Sequence, residues 1–244
     1  MNMESENVPF NKILRNETRD IHSISDALVN AKLAIAFSDR DVWAEGLLVF
    51  YEIFRFLEQA MAANKETNLS KMYVNGMERT SAFEQDLKYY LGDEWKKNYI
   101  IRESVGKYLS HLKELESTNP DLLIAYVYHL YMGLLSGGQI LRKKREVGKR
   151  LLISKNSNSK GNAVTDFGNL NIRDLKQKIV NNINSIADSL DEDTKLKIIA
   201  ESRTVFKLNN EIIGSIEGTN TVLLKKVLLL SILALILFIV WKYI

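Results

Sequence analysis

A chain of 244 residues, 46% hydrophobic and with only 2 prolines, is long enough for one sizeable helical core and carries no long low-complexity stretch. It contains no cysteine, which excludes disulfides and thiolate metal sites together and suits a reducing compartment, so any metal must be held by nitrogen or oxygen. A net charge of +3 is too small to imply nucleic acid, and where the charge clusters matters more than its sum.

The opening MNMESENVPF has acidic residues and no apolar run, so it is not a signal peptide, and residues 1–9 read as a flexible N-terminus. NKILRNETRDIHSISDALVN places Ile13, Leu14, Ile21, Ile24 and Leu28 on one helical stripe. Ser38 or Asp39 caps a second helix carrying Trp43, Leu47, Phe50, Phe54 and Leu57. No alternating pattern argues for a strand, and the predicted class is all-α. His111, in YLSHLKELES, has charged neighbours and reads as solvated. NPDLLIAYVYHLYMGLLSGGQILRKK opens with a cap asparagine, a proline at the first helical position and an acid in the first turn. His129 interrupts this aromatic helix and reads as packed there. SKNSNSKGNAVTDFGN is the one convincing loop, followed by helices near 171–189 and 191–216. The helical body is thus expected over 10–216, with a linker at 217–222 inside the stretch GSIEGTN.

The last segment, 223–244, ends in KKVLLLSILALILFIVWKYI, uncharged from Val227 to Trp241. That run is about 22 Å of helix at about 1.5 Å per residue. It falls short of a hydrocarbon core about 30 Å thick, but Thr221 to Leu224 and snorkelling lysines extend the reach. It is expected to be a single C-terminal membrane anchor that leaves the body facing the cytosol. A buried core helix is the other reading, and it fits poorly because such a helix seldom ends a chain with no polar face.

Two features carry chemistry. Gly133, Gly137 and Gly138 interrupt an otherwise apolar helix, each at a cost of roughly 1 kcal/mol relative to alanine. Either a flat body lies against the backbone there, or the glycines form a small-residue seam against another helix. His22 has Thr18 at i−4, Ser25 at i+3 and Asp26 at i+4, so small groups leave space around the ring and a carboxylate reaches it. That arrangement fixes a tautomer, as a metal-ligating histidine requires, although a plain hydrogen-bonded histidine fits the spacing too.

TRDIHSISDAL, SAFEQDLKYYLGDEW and NPDLLIAYVYHLYMGLLSGGQIL, in this order and spacing and continuing through IIAESRTVFKLNN, resemble the heme oxygenases over roughly residues 10–215. The hydrophobic tail resembles that of the membrane-bound eukaryotic members. The resemblance implies an all-helical fold with heme between a proximal helix and a kinked distal helix. By that similarity His22 is the iron ligand and Asp26 the partner of its other nitrogen. Arg15, Arg19, Lys176 and Tyr128 fall at propionate-side positions, Phe206 at the heme wall, and Gly133, Gly137 and Gly138 make room for the ring. The family's second propionate arginine falls at Val180. For Arg15 and Lys176 an ordinary solvated face is the other reading.

The departures from the family pattern concern the distal side. Most relatives carry an aspartate where this chain has Leu134, and an arginine and a tyrosine where it has Leu130 and Phe54, while Tyr108 and Asn209 are kept. The implied reaction opens heme, at once cofactor and substrate, to biliverdin, iron and carbon monoxide, using O2 and electrons from NADPH. Leucines supply a steric wall and no hydrogen bonds, so turnover is expected to be slow or not strictly regiospecific.

No Gly-rich dinucleotide motif is present, so electrons must come from a separate flavoprotein such as NADPH-cytochrome P450 reductase. RKKREVGKR offers Arg142, Lys143, Lys144, Arg145, Lys149 and Arg150 as a docking patch; a solvated helix or a contact with anionic lipid are the other readings. The expected location is the endoplasmic reticulum membrane. A heme-binding or heme-sensing membrane protein with little ring cleavage, and a cofactor-free helical adaptor, are the competing functions.

Overall fold

The computed structural model describes residues 8–36, 39–151 and 161–218, with isolated positions 224, 227, 228, 231, 232, 238, 241 and 242. At residues 30, 31, 33–36, 98, 145 and 148–151 only the backbone is described. Among the described residues regular structure is entirely helical.

Chain order begins with α1 (Phe10–Glu17) and α2 (Arg19–Ala36), which part at Thr18. Thr18 has φ −110° and ψ 4°, and its hydroxyl bonds back to the Leu14 carbonyl at 2.8 Å. The single stripe expected across this stretch is therefore broken, because the helical phase of α1 is not carried through a non-helical residue. Leu14 is buried, while Ile24 is 62% exposed.

The long α3 (Arg40–Ala63) starts where Asp39 accepts hydrogen bonds from the Asp41 and Val42 amides at 3.0 and 3.1 Å. Ser38, the other candidate cap, lies outside the described residues. Ile53, Phe54 and Leu57 bury one face of α3 against α4 (Thr80–Leu91), where Phe54 meets Phe83 at 5.2 Å. The short α5 (Trp95–Asn98) and then α6 (Glu103–Thr118) follow.

Asn119 caps the next segment through Oδ1 and the Asp121 amide, with Pro120 at the first position, as the sequence suggests. The first turn, Pro120–Leu123, is 3-10, and α7 (Ile124–Gly133) proper begins after it. Ile124 to Tyr128, Leu130 and Tyr131 are all buried, as expected of a helix apolar all round. Its tyrosine hydroxyls find acids on neighbouring helices: Tyr131 bonds Glu58 at 2.9 Å and Tyr126 bonds Glu201.

A π-turn, Leu134–Gly138, separates α7 from α8 (Gln139–Leu151), and α9 (Ile172–Ala187) and α10 (Glu192–Gly214) complete the body. The convincing loop is anchored where it is described. Asp86 accepts from the Ala163 and Val164 amides at 2.9 Å each, and the Arg79 guanidinium donates to the Asp166 and Gly76 carbonyls while stacking on Phe167 at 3.9 Å. Gly161, at φ 81°, passes so close to the Tyr90 hydroxyl that a Cβ would collide with it.

Beyond α10 the chain is tied back to the body. Arg102 donates to the Ser215 carbonyl at 2.6 Å and pairs with Glu217 at 3.2 Å. Among the described residues no helix is long and apolar enough to cross a membrane. The expected anchor at 223–244 falls largely on residues outside the described ones; of those described, Leu224, Val227, Leu228, Ile232, Phe238 and Trp241 are exposed.

Candidate functional site

His22 stands on α2 one turn after Thr18. Its Nδ1 lies 3.1 Å from Asp26 Oδ2, and both side chains are more than half exposed. Thr18 and Ser25 spend their hydroxyls on the carbonyls of Leu14 and Ile21, so neither competes for the imidazole. With Nδ1 turned to the carboxylate, Nε2 is the nitrogen left to bind a metal. The ring also meets Phe206 of α10 edge-on at 5.3 Å. Arg203, one turn earlier on α10, holds Asp20 through both carboxylate oxygens at 2.8 and 2.7 Å. That guanidinium keeps the Asp20 carboxyl well below the usual carboxylate range.

The three glycines are not equivalent. Gly133 and Gly137 are exposed, and a Cβ on either meets nothing within 4 Å. Gly138 is buried, and a Cβ there lies 3.0 Å from Leu134 Cδ1 and 3.5 Å from Thr165 Cγ2. Two glycines therefore leave a bare stretch of helix backbone, and the third serves packing against the loop. Gly133 precedes the π-turn and Gly137 and Gly138 lie within it, and such turns frequently mark functional sites in α-helices.

At the other end of α7, Tyr128 is 7% exposed and sits beside Asn11, which bonds its hydroxyl, and Arg15 of α1. Burial raises the Tyr128 phenol above its ordinary range. Arg19 is exposed at the start of α2, and Lys176 is half-buried on α9, which packs against both α1 and α7. Val180 is half-buried on the same helix.

On the α7 side the expected replacements are apolar in their surroundings as well as in their identity. Leu130 is 6% exposed, and Phe54 is wedged between Phe83 and Tyr131, the latter ring at 5.1 Å. Leu134 is half-buried over Gly138. The kept pair is joined: the Tyr108 hydroxyl lies 3.3 Å from Asn209 Oδ1, and complete burial lifts its pKa well above the phenol range.

Several sequence expectations change here. His111 is not simply solvated: its Nε2 lies 2.9 Å from Glu201, which also takes the Tyr126 hydroxyl. Its partner comes from α10, ninety residues away, and no local pattern announces it. Arg142 of the basic patch is engaged by Glu146 at 3.0 Å, Asp166 at 3.4 Å and the Thr165 carbonyl, because α8 packs against the anchored loop. Lys143 and Lys144 are exposed, and the side chains of Arg145, Lys149 and Arg150 lie outside the described residues. His129 is packed, as expected, with its ring 5.0 Å from Phe206, but its Nε2 is shut away from solvent without a hydrogen-bond partner. Burial first, and the nearby His22 second, push its pKa down to about 3.

Among the described residues no group of three or more His, Asp or Glu side chains is placed to hold a bare metal ion. A cavity of about 380 Å³ lined by Glu78, Arg79, Gln85 and Asp166 shares no residue with the His22 and glycine groups, and its charged lining suits no apolar ring. A single imidazole oriented by a carboxylate, a bare stretch of helix backbone, and an arginine beside a buried tyrosine suit a metal-bearing macrocycle with anionic side groups.

The fold and site define an all-helical protein built to take a metalloporphyrin. The family model described as Heme oxygenase matches residues 8–215, and the chain belongs to the heme oxygenase family, whose members degrade heme to biliverdin. It is 29% identical over 202 residues to heme oxygenase of Rhodella violacea, covering 82% of this chain and 83% of that one. It is 27% identical over 215 residues to human heme oxygenase 1, covering 85% and 72%. The structure is similar to Synechocystis heme oxygenase-1 in complex with heme, at a TM-score of 0.79 and 25% identity, covering 93% of this chain and all of that one. It is also similar to Chlamydomonas reinhardtii heme oxygenase 2 without heme, at a TM-score of 0.76 and 30% identity, covering 85% and 97%.

Proposed function

We propose that this chain is a heme oxygenase whose ring opening is slow or not strictly regiospecific. Bound heme supplies the iron at which O2 is reduced while the ring opens to biliverdin, carbon monoxide and iron, with electrons from a separate NADPH-dependent flavoprotein reductase. The protein's own groups then have distinct tasks. His22 Nε2 ligates the iron, and Asp26 holds the imidazole through Nδ1. Gly133 and Gly137 admit the ring to the helix backbone, and Phe206 walls it. Arg15, Arg19, Lys176 and Tyr128 receive the propionates, where cations and a phenol suit carboxylates at a pocket mouth.

The observation that carries the proposed slowness is the apolar wall of Leu134, Leu130 and Phe54. Such a wall excludes water and offers no group that accepts or donates a proton. Tyr108 and Asn209 are the polar pair kept from the family pattern, and they bond each other. Proton delivery and the choice of meso carbon then depend on how the ring seats, so more than one bilin isomer is expected.

We also infer that 223–244 anchors the body, facing the cytosol, to the endoplasmic reticulum membrane. The uncharged run from Val227 to Trp241 and its flanking lysines support this. Lys143, Lys144 and their basic neighbours are the proposed reductase contact.

The deciding experiment loads the full chain with hemin in detergent, adds reductase and NADPH, and follows bilin yield and isomer distribution in a single turnover beside Leu134→Asp. A carboxylate there should raise clean ring cleavage, although it is poorly solvated and will partly protonate. Fast, single-isomer biliverdin from the natural chain, with Leu134→Asp only impairing it, overturns the assignment to Leu134. A Soret band with no bilin from either protein favours a heme-binding or heme-sensing role instead.

A further inference from the structure

His129 lies four residues before Gly133 on α7, so the two positions share a face of the helix. Its Nε2 is buried and unpartnered, an arrangement that is destabilising when nothing compensates it. Native structures leave few such atoms, and each asks for an explanation. The setting supplies one. The His129 ring meets Phe206 at 5.0 Å and 65°, and His22 meets the same Phe206 ring at 5.3 Å and 64°. Two imidazoles, one from α2 and one from the glycine-bearing helix, thus converge on a single phenyl ring at the proposed heme wall. Asp26 engages His22, whereas His129 has no acid or carbonyl on its Nε2.

We propose that His129 supplies a second axial nitrogen to the heme iron, from α7 as His22 does from α2. The inference rests on the proposed seating of heme between these helices. Neighbouring positions on α7 make the role available: Leu130 and Leu134 present no polar atom that competes for the iron, and a neutral imidazole offers a lone pair. The exchange is reversible and involves no redox change. To admit O2 or CO the imidazole would have to release the iron and return to its packed position beside Phe206. Ligation by His129 then limits the rate at which small ligands enter, adding a second reason for slow turnover.

The test uses the full chain loaded with hemin, and its ferric absorption and low-temperature electron paramagnetic resonance spectra. Wild type should be six-coordinate and low-spin with the signature of two imidazoles. His129→Leu should bind hemin with the same stoichiometry and become high-spin. CO binding to the ferrous protein should be at least tenfold faster in that variant. A high-spin wild-type spectrum overturns the proposal whether or not the variant folds, as does a low-spin spectrum unchanged by His129→Leu or His129→Gln. Absence of any Soret band instead sinks the heme reading itself, and this one with it.

Discussion

α2 and α7 carry the two halves of the proposed heme site, and they are held in opposite ways. α7 is buried over seven of its ten residues, with Tyr131 and Tyr126 locked to Glu58 and Glu201. α2 has Ser25 as the one buried side chain among those described, and it is tied to α10 by the Asp20–Arg203 pair, the His22–Phe206 contact and bonds from Lys32 to the Gly214 and Ile216 carbonyls at 3.4 and 3.3 Å. One helix belongs to the core; the other is held at its edge by a few specific contacts. Elements with little buried apolar surface sit at the low end of local stability, and a ligand that bridges them to the core stabilises them most.

The largest effect should come from His22. Replacing it with alanine removes the α2 nitrogen while leaving α7 intact, so ring opening should fall to background and added imidazole should restore part of it. Wild-type bilin formation by the alanine variant without imidazole would break the assignment. Hemin should also slow amide exchange across α2 and residues 133–138 far more than across α3 or α6, as measured by mass spectrometry.

The glycines sharpen the contrast within the α7 side. Gly133→Ala and Gly137→Ala place a Cβ where no protein atom lies, so unliganded stability should rise by up to about 1 kcal/mol. Hemin affinity should drop about tenfold or more, as a methyl group lifts the ring off the backbone. Gly138→Ala should leave hemin affinity nearly unchanged and raise stability less than the other two or not at all, because Leu134 Cδ1, 3.0 Å from the new Cβ, must give way. Denaturant melts and hemin titrations on the three variants separate the cases. If all three behave alike, the division into ring-facing and packing glycines fails.

Tyr131→Phe tests the locked helix. It leaves Glu58 without one bond at 2.9 Å and should cost about 1 kcal/mol with no change in hemin affinity. The smallest effect is expected at Asp20 on the exposed helix. Arg203 depresses its pKa, so the contribution of the pair is present above the ordinary carboxylate range and is lost as pH falls below it. Asp20→Asn should lower the melting temperature slightly at pH 7, and the difference from wild type should shrink steadily as pH falls below the ordinary carboxylate range; a difference that does not change with pH assigns the effect to something other than the charge.

Periodicity, caps and punctuation are local, and they sufficed for the helical class, for the Asp39 and Asn119 caps and for the helices expected near 171–189 and 191–216, which form over 172–187 and 192–214. The residues of the proposed site were legible where chemistry and spacing coincide within one helix: the i,i+4 pair of His22 and Asp26, which is in contact, and the glycines at i and i+4, which leave the backbone open. The same spacing misplaced Ile24: it shares the unbroken α2 with Ile21 and Leu28, which are half-buried, yet is itself 62% exposed, because burial depends on which helix packs beside it.

Only the tertiary structure decided which glycine faces open space and which faces Leu134, since that depends on where the loop at 163–165 is pinned by Asp86. Only it brought Glu201 to His111, Arg203 to Asp20, and both His22 and His129 to Phe206. A sequence determines what each residue can donate, accept or bury, and how it repeats along a helix. Which donor meets which acceptor across ninety or more residues is settled by the packing of helices, because burial leaves each polar group only the partners that the neighbouring helix presents.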